Sequence, residues 1–151
     1  MKLIIYTIIA GLIGTTGMTL VMAAINRLGF ANADMIRAIG SIFTRDYDDS
    51  VTPGFITHFG MGIIIAFFYV LIISFLAPHS IISASAAGVM IGLFHGIVFS
   101  FLLVVAVAEH HPLEQFRKAG SEVAIAHLAG HLVYGLLVGA VIGITGIRFT
   151  L

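Results

Sequence analysis

Four long runs of apolar residues dominate the hydrophobic pattern of this chain. They cover about residues 3–25, 55–77, 83–108 and 121–147, and each reaches the roughly 20 residues that an α-helix needs to cross about 30 Å of hydrocarbon. The third run follows the second after only a short connection, Pro78 to Ile82, which favours an antiparallel hairpin. The pattern predicts an all-α integral membrane protein. We expect residues 1–151 to form a single transmembrane domain, a four-helix transmembrane bundle.

Between the first two runs, the pattern changes to that of an amphipathic helix. Its charged and polar residues fall on the side opposite an apolar stripe made of Met35, Ile36, Ile39, Ile42 and Phe43. This spacing predicts a short interfacial amphipathic helix over about residues 33–44, lying at the bilayer surface. We expect Asn32 to act as its N-cap. Pro53-Gly54 is expected to form a turn before the second transmembrane helix.

The composition supports a membrane protein and excludes several classes of chemistry. Apolar residues make up 60% of the chain and charged residues only 9%, against about a quarter charged in soluble domains. The formal net charge is zero, so nothing indicates nucleic-acid binding. The chain has no cysteine, which excludes disulfides, thiolate metal sites and iron–sulfur clusters. No hydrolase, phosphate-loop or HExxH motif is present, so a non-catalytic role is favoured and enzymatic activity is left open.

The histidine pair His127 and His131 lies inside the fourth apolar run. Ionisable residues are rare in transmembrane helices and usually face a protein interior where they have a function. Four-residue spacing places the two imidazoles about 40° apart on one helix face, and Tyr134 falls on the same face. His131 lies about 15 Å into its helix and so near the bilayer midplane. His95 is similarly central in the third helix, whereas His58 enters from the side of the long loops.

Imidazoles placed in this way suit a bound metal or metalloporphyrin. His95 and His131, at equal depth on two helices, could ligate a haem from opposite faces. A smaller site of His127, His131 and His58 could instead hold a copper, iron or zinc ion, with Glu109 or Tyr134 as an oxygen donor. The identity of the cofactor stays unknown. The expected cofactor-binding residues are His58, His95, His127, His131 and Tyr134, and the expected metal ligands are the same four histidines with Glu109. His79, His110 and His111 are assigned to loops.

Three functions remain open from these residues. The leading hypothesis is a polytopic membrane protein that binds a metal or metalloporphyrin, as a redox, pigment-type or accessory subunit of a larger complex. The first alternative is a small proton or metal-ion transporter or channel that uses the histidines as a pathway. The second is a structural subunit whose histidines only hydrogen-bond between helices.

Glycines at four-residue intervals predict close helix packing, because small residues let helix backbones approach in lipid. They are Gly88, Gly92 and Gly96 in the third helix and Gly135, Gly139 and Gly143 in the fourth. Besides the lipid bilayer, the expected partners are further copies of the chain or other membrane subunits, docked on these glycine-rich faces.

Positive charge is concentrated in the two long loops. They hold five Lys and Arg residues, whereas the termini and short loop hold Lys2 and Arg148. The positive-inside rule then places both termini outside and the long loops in the cytoplasm.

Two segments carry a resemblance to a known group of proteins. Pro53-Gly-Phe-Ile-Thr-His58-Phe-Gly-Met-Gly62 and Ala126-His127-Leu-Ala-Gly-His131-Leu-Val-Tyr134-Gly135-Leu-Leu-Val-Gly139 resemble the paired motifs of an uncharacterised family of small four-helix bacterial and archaeal membrane proteins. The resemblance implies a four-helix membrane fold in which the positions of His58 and His131 recur. It also implies a prokaryotic cytoplasmic (inner) membrane. It implies no activity.

Overall fold

The computed structural model describes residues 1–102 and 108–149, and in these ranges it contains helices and no strands. Four helices are long and apolar enough to span a membrane. Two shorter helices and one 3₁₀ turn, Asp48–Ser50, lie in the long connections. The helices are α1 (Lys2–Arg27), α2 (Met35–Thr44), α3 (Val51–Leu76), α4 (Ile81–Leu102), α5 (Glu114–Arg117) and α6 (Ser121–Thr145).

These bounds confirm the predicted all-α fold with four membrane-spanning helices and a short helix after the first. The third predicted transmembrane helix corresponds to α4, which is described only to Leu102. The part of its predicted range at 103–107 lies outside the described residues. The predicted turn at Pro53-Gly54 is wrong, because α3 already begins at Val51. Proline fits there since the first turn of a helix has no intrahelical partner for its backbone N–H.

The predicted N-cap of α2 is also wrong. Asp34, not Asn32, caps this helix, and its carboxylate accepts a hydrogen bond from the backbone N–H of Arg37 at 3.2 Å. A carboxylate gains additional stabilisation from the positive end of the helix dipole, which an amide lacks. The Asn32 side chain instead donates to the carbonyl of Gln115 at 3.2 Å, so that it links the two long connections.

Helix α6 is the element on which the bundle is assembled. It packs extensively against α4 on one side and against α1 on the other, and α1 in turn packs against α3. Helices α3 and α4 are consecutive in the chain but share a much smaller contact. The bundle is therefore loosest where α3 faces α4, and the candidate site lies beside this gap.

Glycines bring the backbones of α4 and α6 into direct contact. A Cβ atom added to Gly88 would collide with the carbonyl oxygen of Gly135, and one added to Gly135 would collide with that of Gly88. Gly92 lies in the same way against the carbonyl oxygen of His131, at 2.5 Å from the position of such a Cβ. These glycines are thus used for packing within the chain, as their spacing predicted.

The exterior of the bundle is strongly apolar. Large hydrophobic side chains point outward from every long helix, and examples more than half exposed are Leu20, Phe68, Phe75, Phe94, Ile125 and Ile144. A soluble monomer does not expose contiguous apolar surface on this scale. The outward face is therefore suited to lipid, as in an integral membrane protein.

The contact between α4 and α6 gives a direct stability prediction. Gly88→Ala should destabilise the protein by about 1–3 kcal/mol, because its methyl group would displace the α6 backbone. Gly60→Ala is the matched control, since a Cβ at Gly60 meets nothing within 4 Å. Thermal unfolding of both variants in mild detergent measures the difference. Equal midpoints for the two variants would contradict this packing.

Candidate intramembrane site

His131 is a buried polar side chain near the middle of α6. Its side chain is only 6% exposed. Both ring nitrogens are buried and have no hydrogen-bond partner among the described residues. A neutral imidazole has one donor and one acceptor, so this ring leaves its whole hydrogen-bonding capacity unused.

Two other imidazoles lie against His131. The ring centroid of His95, from α4, is 4.4 Å away, and that of His127, one turn earlier on α6, is 4.8 Å away. Gly96 makes this approach possible, because a Cβ there would lie 2.8 Å from the Cβ of His131. The structure therefore brings together the histidines that the sequence placed at equal depth on neighbouring helices.

Unpartnered nitrogens extend to the neighbouring histidines. Nδ1 of His127 and Nε2 of His58 are buried without a partner in the described part of the chain. Two buried threonine hydroxyls of α1 differ from them: Thr15 donates to the carbonyl of Gly11 at 2.7 Å, and Thr7 to that of Leu3 at 2.8 Å. Each of these hydroxyls bonds to the backbone of its own helix, whereas the imidazole nitrogens have no partner in the described ranges.

Tyr69 is a residue of the site that the sequence analysis missed. Its hydroxyl forms a hydrogen bond of 3.3 Å with Nδ1 of His95, and the residue is 2% exposed. Its ring also packs edge-on against Tyr134, with centroids 5.3 Å apart. Tyr69 thus holds the His95 ring in position. A lone tyrosine inside the second apolar run was the available signal.

Tyr134 has a structural partner. Its hydroxyl donates to the carbonyl of Gly62 at 2.6 Å and so ties α6 to α3. This bond occupies the proton of the hydroxyl and directs the oxygen toward the α3 backbone. Tyr134 borders the site, but the hydroxyl is already engaged.

All four membrane histidines line one cavity. The cavity has a volume of about 170 Å³ and is open on one side. Residues from α1, α2, α3, α4 and α6 contribute to its wall, among them His58, His95, His127, His131 and Tyr134.

A second cavity, of about 190 Å³, lies at the end of the bundle where the long loops meet. Its lining is mainly apolar and includes Ser100, whose buried hydroxyl is also unpartnered within the described ranges. Met35, Ile39 and His127 line both cavities. Helix α2 and His127 therefore form the wall between the loop end of the molecule and the imidazoles.

Contacts from both long connections hold helix α2 in its place in this wall. Gly40 lies against the carbonyl of Ser50, and His111 in the other long connection bonds through Nε2 to the carbonyl of Ala38 at 2.9 Å. His111 is 3% exposed, so this predicted loop histidine has a buried structural role.

A polar network in the first loop holds the outer side of α2. The Arg37 guanidinium stacks over the Tyr47 ring at 4.3 Å and lies 3.6 Å from the Asp34 carboxylate. Partial burial, together with the Asp34 carboxylate, raises the pKa of Tyr47 above its ordinary value, so the hydroxyl remains protonated and donates to Asp34.

Glu109 is not brought to the histidines. It is exposed after α4 and lines neither cavity. Across residues 1–102 and 108–149, no three His, Asp or Glu side chains are already arranged to hold a metal ion. The site consists of imidazoles that lie side by side without converging on one point.

Comparison with known proteins places the chain in a family without giving it an activity. No curated protein and no solved structure matches it. Residues 1–149 match a family of unknown function, DUF6789. The chain therefore belongs to the DUF6789 family.

Proposed function

We propose that this protein binds a single transition-metal ion inside the membrane, through His127 and His131 together with His58 or His95. The observation that carries the proposal is the buried His131 ring with two unpartnered nitrogens. Each unpaired buried polar atom costs about 1–3 kcal/mol. A ligand that takes up a lone pair of the ring offsets this cost, and imidazole is the commonest transition-metal ligand in proteins.

The spacing of the rings favours an ion over a metalloporphyrin. Two imidazoles on one tetrahedral ion have ring centroids about 5 Å apart, since each metal–nitrogen bond is about 2.0–2.1 Å. Two axial imidazoles on opposite faces of a haem iron need about 6 Å by the same bond lengths. The observed separations of 4.4 and 4.8 Å are closer to the first value.

The size of the cavity supports the same choice. Its volume of about 170 Å³ is near that of an engineered cavity of about 150 Å³ that accommodates benzene. A porphyrin macrocycle is several times larger than benzene, so much of it would lie outside the cavity. A single ion fits inside.

Binding requires the rings to turn. Because the imidazoles do not converge on one point in the described residues, the ion would draw their nitrogens together by rotation about the side-chain bonds. The unpartnered nitrogens of His58, His127 and His131 have no hydrogen bond to break in doing so.

The first test is the metal content of the purified protein. Protein isolated in mild detergent through a tag without histidine, then equilibrated with Zn(II) or with Cu(I) under reducing conditions, should retain one ion per chain. His131→Leu should lower this retention at least ten-fold, because leucine removes both nitrogens at a similar volume. Elemental analysis after desalting gives the stoichiometry.

His79→Ala is the control, since His79 is an exposed histidine in the short loop. It should retain the wild-type metal content. Wild-type protein that binds neither ion, or His131→Leu protein that binds as well as wild type, would contradict the proposal.

Passage of the ion is the second candidate function, and one observation favours it. His127 lines both the imidazole cavity and the cavity at the loop end, so the two spaces meet at a single titratable side chain. An ion that enters from the loop end would reach His127 before His131. Transport requires this route through His127, whereas a stationary redox or accessory role does not.

Flux into proteoliposomes separates these roles. If the route is used, wild-type protein should admit Cu(I) or Zn(II) to an enclosed fluorescent chelator faster than protein-free vesicles do. His127→Leu should abolish this excess, and His79→Ala should not. If wild-type protein binds metal normally but its vesicles admit the ion no faster than protein-free vesicles, the transport role is contradicted and the stationary role is supported.

We further propose the cytoplasmic membrane of a prokaryotic cell as the location, with the long loops inside the cell. The excess of Lys and Arg in those loops supports this orientation. It places the loop-end cavity on the cytoplasmic side.

The absence of cysteine makes the orientation simple to test. In intact cells, a membrane-impermeant maleimide should label His79→Cys in the short loop and should leave Asp48→Cys in the first long loop unlabelled. Both positions are exposed, so each should be labelled after lysis. Labelling of Asp48→Cys alone in intact cells would reverse the orientation.

A further inference from the structure

The imidazole cavity also contains sulfur. Three methionines line it beside the histidines, Met18 from α1, Met35 from α2 and Met61 from α3. They come from three different helices, but Met61 is 48% exposed, whereas Met18 is buried. In an apolar helix such residues read as ordinary hydrophobic positions, so the sequence pattern does not single them out.

Met18 lies directly against the histidine-bearing turn of α6. Its Cγ and Cε atoms are 2.9 and 3.3 Å from the position that a Cβ on Gly130 would occupy. Gly130 immediately precedes His131, so the absence of a side chain there lets the thioether reach this turn. Met18 is 4% exposed and is therefore a fixed part of the wall.

Oxygen donors are scarce in the same cavity. The hydroxyls of Thr15 and Tyr134 line it, but both already donate to backbone carbonyls, at 2.7 and 2.6 Å. None of the described residues that line it carries a carboxylate. The available donors are thus neutral imidazole nitrogens and neutral thioether sulfurs.

This donor set discriminates between ions by softness. Thioether ligands select Cu(I) among the biological first-row metals, whereas Zn(II) in proteins is bound by imidazole with thiolate or carboxylate. An all-neutral set of nitrogen and thioether donors therefore matches the preference of Cu(I).

The charge of the ion leads to the same preference for Cu(I). The Born cost of moving an ion into a low-dielectric medium increases with the square of its charge, so a divalent ion pays about four times as much as a monovalent one of equal size. With no carboxylate in the described wall to neutralise the second charge, the membrane interior favours a monocation.

We propose that the ion bound at this site is Cu(I), held by His127, His131 and the third histidine, with Met18 as a sulfur ligand. This assignment rests on the proposed metal-binding function and adds the identity of the ion and one ligand. Binding is a simple coordination, with no change in oxidation state at the site.

Competition with a chromogenic Cu(I) chelator under reducing conditions tests the assignment. Met18→Leu, which preserves the volume of the apolar side chain, should lower the Cu(I) affinity at least ten-fold. It should not change the affinity for Zn(II). Met90→Leu is the control, because Met90 is on the exterior of α4 and outside the cavity. Thermal unfolding without metal establishes that each variant is folded.

X-ray absorption spectroscopy at the copper K-edge gives an independent readout. Wild-type protein should show scattering from a sulfur ligand, and this signal should weaken in Met18→Leu. Ag(I), also a soft monocation, should compete for the same site. Zn(II) binding as tight as Cu(I), or a Cu(I) affinity unchanged in Met18→Leu, would overturn the assignment to Cu(I) and leave histidine metal binding intact. Loss of binding for every ion would overturn both.

Discussion

The close approach of α4 to α6 is the constraint on which the rest of this structure depends. In lipid, apolar surface gains little by moving from acyl chains to another helix, so association relies on close packing and on hydrogen bonds. The reciprocal contact of Gly88 and Gly135 supplies that packing at one level of the bilayer. At the next levels, Gly92 and Gly96 lie against the backbone and Cβ of His131. The contact that assembles the bundle therefore also sets the distance between His95 and His131.

Unpartnered buried polar atoms are concentrated at the site. Buried threonines and Tyr134 satisfy their hydrogen bonds, and α2 is held by His111 and by the Arg37–Tyr47–Asp34 network. Within the described residues, four ring nitrogens on three histidines lack a partner, as does the hydroxyl of Ser100 in the neighbouring cavity. A sequence selected only for stability would carry apolar residues there, since an apolar side chain of similar shape removes the desolvation cost. The retained cost is the physical argument for a ligand.

Much of the fold could be predicted from the sequence, because runs of about 20 apolar residues have few other solutions. Details of the helix ends could not, since Asn32 and Asp34 are both good caps and Pro53 is tolerated within a first turn. Glycine spacing predicted tight packing, but the register that pairs Gly88 with Gly135 depends on three-dimensional contacts. His127 and His131 could be identified from the sequence because ionisable residues are rare in transmembrane helices. A lone tyrosine such as Tyr69 is a weaker signal and Met18 gives none, because apolar helices also contain tyrosine and methionine for packing alone.

The central claim is that His131 is kept for a ligand and not for stability, and thermal unfolding of His131→Leu in detergent tests it most directly. Without metal, the account predicts that the variant unfolds at the wild-type temperature or above, because leucine removes two unpaired polar atoms. With metal at about 100 times its Kd, wild-type protein should gain about 2.7 kcal/mol, and the variant should gain nothing. A metal-free variant clearly less stable than wild type, with no effect of metal on either protein, would contradict the account and identify His131 as a structural residue.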